Sequence, residues 1–267
     1  MATSVQSPET GFLRVDGLDI PFQWWGNRYD QPVLFFHDIG DNPATFAPVC
    51  AALVHQGYCC ISLGLPFHQQ ETNRAVDFRC DSFIQKLTET LAYNGLGKYT
   101  IVAHSFGARL ALPLAVYNPE MVKRIILVAP DGFHSRSDLL FKPAQYSLLQ
   151  KFVNQFDFPA RQLLKFVKPD LAAAQTEPLL QVYRRCLPVA DEVDLQANRT
   201  MGLLYTIQAP VRIIWGKNDR EVPFQTAAEV SQHFRDATVH LLENSGHKPH
   251  VDAPDEFNEL LLKILKR

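Results

Sequence analysis

Short, unbroken apolar runs recur along the chain: VLFF (Val33 to Phe36), YCCISLGL, YTIVAH (Tyr99 to His104), RIILVAP and VRIIWG. A strand that is apolar at successive positions must be covered on both of its faces, which is the situation of a parallel sheet flanked by helices. The segments between the runs carry apolar residues at helical spacing. Val49, Leu53 and Val54 lie in a stretch from Phe46 to Gln56 that Gly57 stops; Phe83, Ile84, Leu87 and Leu91 precede Gly95. Ala108 to Val116 is helical in composition, and Pro113 within it predicts a kink. This strand–helix rhythm sets the class as α/β with a mostly parallel open sheet. Ahead of it, Phe12 to Trp25 alternates apolar and polar around Gly17-Leu18-Asp19, which predicts an antiparallel pair of strands with its turn there.

The rhythm stops after Pro130 and resumes at VRIIWG. From Asp131 to about Gln208 there are helix-like segments and no convincing strand. Leu148, Phe152 and Phe156, and then Leu163, Leu164 and Val167, fall at helical spacing, while Pro159, Pro169, Pro178 and Pro188 cut the stretch into short pieces. Pro223 to Phe234, the strand TVHLLE and a last helix bearing Phe257, Leu260, Leu261, Ile264 and Leu265 then complete the sheet and its cover. The expected organisation is one core, residues 1–130 and 209–267, interrupted by a helical insertion, 131–208. The 267 residues suffice for such a domain.

Composition narrows the partners. A formal net charge of -2 with no like-charge tract gives no footing for nucleic acid, and no apolar stretch is long enough to span a bilayer. The N-terminus lacks the basic-then-apolar pattern of a secretory signal. The cysteines (Cys50, Cys59, Cys60, Cys80 and Cys186) are odd in number and form no CxxC pair, which fits a reducing cytoplasm. No Cys/His cluster has zinc-ligand spacing, and no metal or organic cofactor is implied. Monomer and homodimer both stay open.

Ala103-His104-Ser105-Phe106-Gly107 joins a strand to a helix. A serine at such a corner sits on a tight turn with its oxygen exposed above the sheet edge, and small residues must flank it because the backbone passes close to neighbouring elements. Ala103 and Gly107 supply them. The segment resembles the nucleophile elbow of α/β-hydrolases, G-x-S-x-G, with alanine in the first position. A serine hydroxyl needs a base, and the base needs an orienting group. The resemblance implies the order Ser, then Asp or Glu, then His. WGKND places Asp219 just after a strand, and NSGHKPH places His247 just after the last one, at the strand ends where open α/β sheets build their sites. Ser105 is therefore the expected nucleophile, His247 the general base and Asp219 its partner. Asp131, after RIILVAP, is the competing acid. His250 lies outside the Gly-His pair and is expected on the surface; His104 is expected to pack or hydrogen-bond behind the nucleophile.

The same resemblance implies an oxyanion hole made by the backbone N–H of Phe106 and that of Ile39. Ile39 lies in His37-Asp38-Ile39-Gly40, which is similar to the H-G-x-G loop with Asp38 in place of glycine. Asp38 is expected to turn outward or to meet a cation. The pair His37-Asp38 also resembles the metal-binding pair of phosphohydrolases, without the further ligands that chemistry needs. A serine at the elbow, rather than aspartate, argues against dehalogenase and epoxide hydrolase reactions. The expected activity is hydrolysis of a small to medium apolar carboxylic ester through an acyl-enzyme. Carbon–carbon bond hydrolysis of ring-cleavage products, thioester or lactone hydrolysis, and a ligand receptor retaining the fold remain alternatives. The rings of the insertion (Phe133, Phe141, Tyr146, Phe152, Phe156, Phe158, Phe166 and Tyr183) are expected to form mostly the core of a lid, and Arg184 and Arg185 a solvated pair.

Overall fold

The computed structural model describes residues 7–66, 78–133, 192–193 and 195–267. The chain opens with an antiparallel hairpin, β1 (Glu9–Val15) and β2 (Leu18–Trp25). Its turn is Asp16-Gly17, one step earlier than the sequence suggests, with φ of 49° and 80°. A two-residue hairpin turn that matches strand twist needs positive φ at both positions, and Asp-Gly tolerates it where Leu18 would not. Leu18 instead begins β2 and is buried.

The apolar runs become β3 (Gln31–Phe36), β4 (Tyr58–Leu63), β5 (Tyr99–His104), β6 (Val122–Val128), β7 (Val211–Gly216) and β8 (Ala237–Leu242). The eight strands form one sheet in the order β1-β2-β4-β3-β5-β6-β7-β8, and every pairing from β4 through β3 to β8 is parallel. Residues within one run divide between the two faces. Leu34 and Phe36 point into one core with Ile101, Ala103, Ile125, Leu127, Ile213 and Trp215; Val33 and Phe35 point into the other with Val102, Ile126, Val128 and Ile214. The second face is covered by α1 (Ala47–Val54) and α6 (Pro254–Leu265), through Val49, Leu53, Phe257, Leu261 and Ile264. The first is covered by α2 (Cys80–Tyr93), α3 (Ala108–Tyr117) and α4 (Ala227–Gln232). Helix α3 continues through Pro113 to Tyr117. A short α5 (Pro249–Asp252) precedes α6.

Of the predicted insertion, the described residues carry helix at 195–200, a 3-10 turn at Leu204–Thr206 and no strand. Phe133 is buried against His233 and Phe234. The other rings expected to form a lid, together with Arg184, Arg185 and Cys186, lie outside the described residues. Cys50, Cys59, Cys60 and Cys80 are buried and free, and burial pushes the thiols of Cys59 and Cys80 up to about 12, as befits small core hydrophobes. No helix among the described residues is long and apolar enough to cross a membrane.

The sheet order fixes where a site can form. From β3 the chain goes to β4 on one side and then returns to β5 on the other, so the loops after β3 and β5 leave side by side. Such a switch point opens a crevice at the carboxyl ends of the strands.

Candidate active site

Ser105 stands at this point, between β5 and α3, with φ of +49°. A non-glycine residue held there is strained and persists only where its surroundings enforce it. Gly107 shows one enforcing contact: a Cβ there would lie 2.5 Å from the carbonyl oxygen of Phe36 and 2.8 Å from that of His37. The elbow is thus pressed onto the end of β3, and any larger residue at 107 would force them apart.

A second close approach joins the two downstream loops. A Cβ on Gly216, the last residue of β7, would collide with the backbone carbonyls of Ser245 and Gly246. The absent side chain lets the loop after β8 lie on the end of β7, and the N–H of Asn218 donates to the Ser245 carbonyl at 2.9 Å. Asp219 and His247 are brought together by this contact.

The resulting geometry is a continuous hydrogen-bonded chain. Ser105 Oγ lies 2.9 Å from His247 Nε2, and His247 Nδ1 lies 2.9 Å from Asp219 Oδ2. A carboxylate can only accept, so Nδ1 carries the proton and Nε2 is left to accept from the serine hydroxyl. Asp219 is fully occupied: Oδ1 accepts the N–H groups of Glu221 and Val222 at 2.9 Å, and Oδ2 also accepts the Trp215 indole N–H at 3.0 Å. The competing acid, Asp131, is held elsewhere, by Arg109 at 2.8 Å and by the N–H of Gly132 at 2.7 Å.

The hydroxyl is less open than the elbow alone predicts, since Ser105 is only 5% exposed. Burial pulls the pKa of His247 down, but the bond and charge of Asp219 and the charges of Asp38 and Glu221 outweigh it, so the net shift is upward from 6.5. Glu221 was not foreseen from the sequence, although it lies two residues beyond Asp219. Its carboxylate comes within 3.9 Å of His247 Nε2.

His104 and His250 pack behind His247. His104 Nε2 donates to the backbone carbonyl of His247 at 2.8 Å. His250, expected at the surface, is 2% exposed. Its ring stacks on Phe46 and meets His104 and Phe257 edge-on, which is how the fold draws α5 inward. Asp41, His104 and His250 could each offer one ligand atom within 4.8 Å of the others. Lys248 Nζ, however, already pairs with Asp41 at 2.8 Å. That cation neutralises the only charge in the group and opposes a second cation beside it.

Asp38 departs from expectation most. It is 3% exposed and turned inward, and its Oδ1 accepts the N–H of Phe106 at 3.3 Å. The loop is shaped for this by its own bonds: His37 Nδ1 donates to the Asp38 carbonyl at 2.7 Å, and the N–H of Asp41 closes a turn onto the same oxygen at 3.0 Å. Ile39 is buried in the core beneath the loop.

The chain has recognisable relatives. The model of the alpha/beta hydrolase family matches residues 33–260. The sequence is 22% identical over 256 residues to a 2-hydroxy-6-oxononadienedioate/2-hydroxy-6-oxononatrienedioate hydrolase of Pseudomonas sp, covering 89% of each chain. It is 25% identical over 205 residues to a pimeloyl-[acyl-carrier protein] methyl ester esterase of Nitrosomonas europaea, covering 72% of this chain and 79% of that one. In structure it is similar to a thermophilic esterase of Thermogutta terrifontis, with a TM-score of 0.73 at 16% identity over 98% of each chain.

Proposed function

The chain belongs to the alpha/beta hydrolase family, and we propose that within it this is a serine hydrolase that cleaves a small to medium apolar carboxylic ester. The observation that carries the reading is the unbroken chain from Ser105 Oγ through both nitrogens of His247 to Asp219, each link 2.9 Å. In this reading Ser105 Oγ attacks the ester carbonyl carbon while its proton passes to His247 Nε2. The carbonyl π electrons move to oxygen, which the N–H groups of Phe106 and Ile39 receive. Collapse of this intermediate expels the alcohol, which takes the proton back from His247. Water, deprotonated by the same nitrogen, then releases the acid and restores the serine. Asp219 keeps the Nδ1–H tautomer and stabilises the imidazolium. Residues 131–208 would serve as a lid over the acyl group, with a small molecule as the only partner the site requires.

The likeness to the Pseudomonas hydrolase of a dienedioate supports a second reading, hydrolysis of a carbon–carbon bond beside a ketone by the same residues. One experiment separates these. An alkyl fluorophosphonate should label the protein, Ser105→Ala should abolish the label, and p-nitrophenyl esters should be turned over faster than a dienone ring-cleavage product. Preference for the dienone would replace the esterase reading. Labelling that survives Ser105→Ala would remove Ser105 as nucleophile, and absence of labelling in a protein that still binds ligand would favour a receptor.

A further inference from the structure

The segment that carries His247 crosses the carboxyl edge of the sheet. It leaves β8 at the rim, lies on the end of β7 at Gly216 and brings His247 to Ser105 at the end of β5. It then meets the loop after β3, where Lys248 Nζ donates to Asp41 Oδ1 at 2.8 Å. In the sheet, β8 and β3 are separated by β5, β6 and β7, so strand pairing does not set the distance between their loops. Asp41 also closes a turn, its N–H donating to the Asp38 carbonyl at 3.0 Å, and Ile39 lies inside that turn. We propose that the Asp41–Lys248 ion pair is the far anchor of the crossing segment, and that both are positioning residues: they fix the N–H of Ile39 and the ring of His247 relative to one another over Ser105. The proposal rests on the reading of Ser105 as nucleophile and Ile39 as oxyanion donor.

Attack needs the two groups at the same moment. As the Ser105 oxygen adds, the carbonyl oxygen settles on a donor of one loop while the proton passes to the base of another. A misplacement of about 1 Å between such groups costs on the order of a hundredfold in rate. The bond to Asp219 fixes the tautomer of His247, and the contact at Gly216 seats Ser245 and Gly246. Both of these act from the β7 side. His104 holds the His247 carbonyl from the elbow. The Asp41–Lys248 pair acts from the β3 side, one residue past His247. The Lys248 and Asp41 side chains are 33% and 15% exposed, so the pair is partly shielded from water, yet it adds little to folding stability. The next tie along the chain, from His250 to Thr45 and Phe46, seats α5 against residues 43–46, past the turn that carries Ile39. The ion pair thus joins the base loop directly to the oxyanion loop. The bonds made and broken remain those of the ester hydrolysis already given.

The experiment uses the full chain and p-nitrophenyl butyrate. Asp41→Ala and Lys248→Met should each lower kcat by about three- to tenfold, with KM changed by less than about twofold, because neither residue is asked to touch the substrate. The melting temperature should fall by no more than about 4 °C. The double variant should be no slower than the slower single one, since each change undoes the same tie. Lys248→Arg keeps a cation within reach of Asp41 and should retain most of kcat. The acid limb of kcat should stay in place in all of them, because the charges that raise the pKa of His247 belong to Asp219, Asp38 and Glu221. If Asp41→Ala fails to fold, Lys248→Met and Lys248→Arg carry the comparison. The anchor is refuted if kcat is unchanged in Lys248→Met, or if the losses of the single variants multiply in the double one. It is also refuted if the acid limb moves down in Asp41→Ala and up in Lys248→Met, which would make the two residues charges acting on His247 rather than a tie between loops. Ser105→Ala keeps the readings apart. Loss of all turnover there leaves the nucleophile standing whatever the anchor does, whereas turnover that survives it removes the nucleophile and the anchor with it.

Discussion

Three carboxylates act on one imidazole. Asp219 holds Nδ1, while Asp38 and Glu221 face the ring as charges, and together they raise the pKa of His247 despite its burial. The proposed mechanism needs the neutral ring, so activity is lost as pH falls through this pKa, and the acid limb should lie above pH 6.5. Glu221 is the carboxylate that can be changed without touching Asp219 or the donor at Phe106. Glu221→Gln should move the acid limb of kcat/KM downward by up to about one pH unit and leave the plateau rate within a few fold. A limb that stays in place would remove Glu221 from the electrostatics of the base. At this scale the sequence is legible only where residue type and chain order coincide. Ser105, Asp219 and His247 follow strands in the order that the resemblance implies, and the structure brings them together. The orientation of Asp38 is not legible, because a loop carboxylate points wherever a donor awaits it, and its donor lies on a different strand's loop, 68 residues away. His250 is hidden for the same reason: its partners Phe46, His104 and Phe257 come from three separate elements.

At the scale of elements, the site depends on two places where backbone meets backbone, at Gly107 and Gly216. The second belongs to β7, which otherwise reads as an ordinary buried strand. Its final glycine is what allows the loop carrying His247 to lie on the loop carrying Asp219. Gly216→Ala puts a methyl group against the carbonyls of Ser245 and Gly246, both rigid backbone atoms, so the loop after β8 must lift. Overpacking of this kind costs about 1–3 kcal/mol. We expect a lower melting temperature together with a fall in kcat that exceeds the loss of folded protein, because His247, the proposed base, is displaced relative to Asp219. A variant with unchanged melting temperature and full kcat would show that the contact is not tight. The strands themselves were legible because burial on both faces leaves a continuous apolar run. The hairpin turn lies one step earlier than the sequence suggests because Gly17 can serve either Asp16-Gly17 or Gly17-Leu18-Asp19, and only the sign of φ decides.

For the whole molecule, the polar layer behind the site has a cost that depends on pH. His37, His104 and His250 are all buried, and burial lowers the pKa of each; for His104 the value falls to about 3. Released into water by unfolding, each returns to about 6.5. Below that pH the unfolded chain binds protons that the folded chain refuses, so stability is fully present above pH 6.5 and declines as pH falls. The slope is about 1.4 kcal/mol per pH unit for each ring that stays neutral. His247 acts in the opposite sense. Its raised pKa adds stability below pH 6.5 that is lost as pH rises through the folded value, and this offsets part of the acid loss of the other three. The melting temperature should therefore drop between pH 7 and pH 5, before ordinary carboxylates begin to titrate. Because three neutral rings outnumber one charged ring, the net sign is set by the layer rather than by the base. His250→Gln removes one titrating ring while keeping a polar group beside Thr45, whose hydroxyl lies 3.3 Å from His250 Nε2. It should lower the melting temperature at pH 7 through lost stacking on Phe46, yet flatten the decline towards pH 5. A decline equally steep in the variant and the wild type would mean that the acid sensitivity lies elsewhere, and that the buried histidines are held by packing without the proton linkage that their burial predicts.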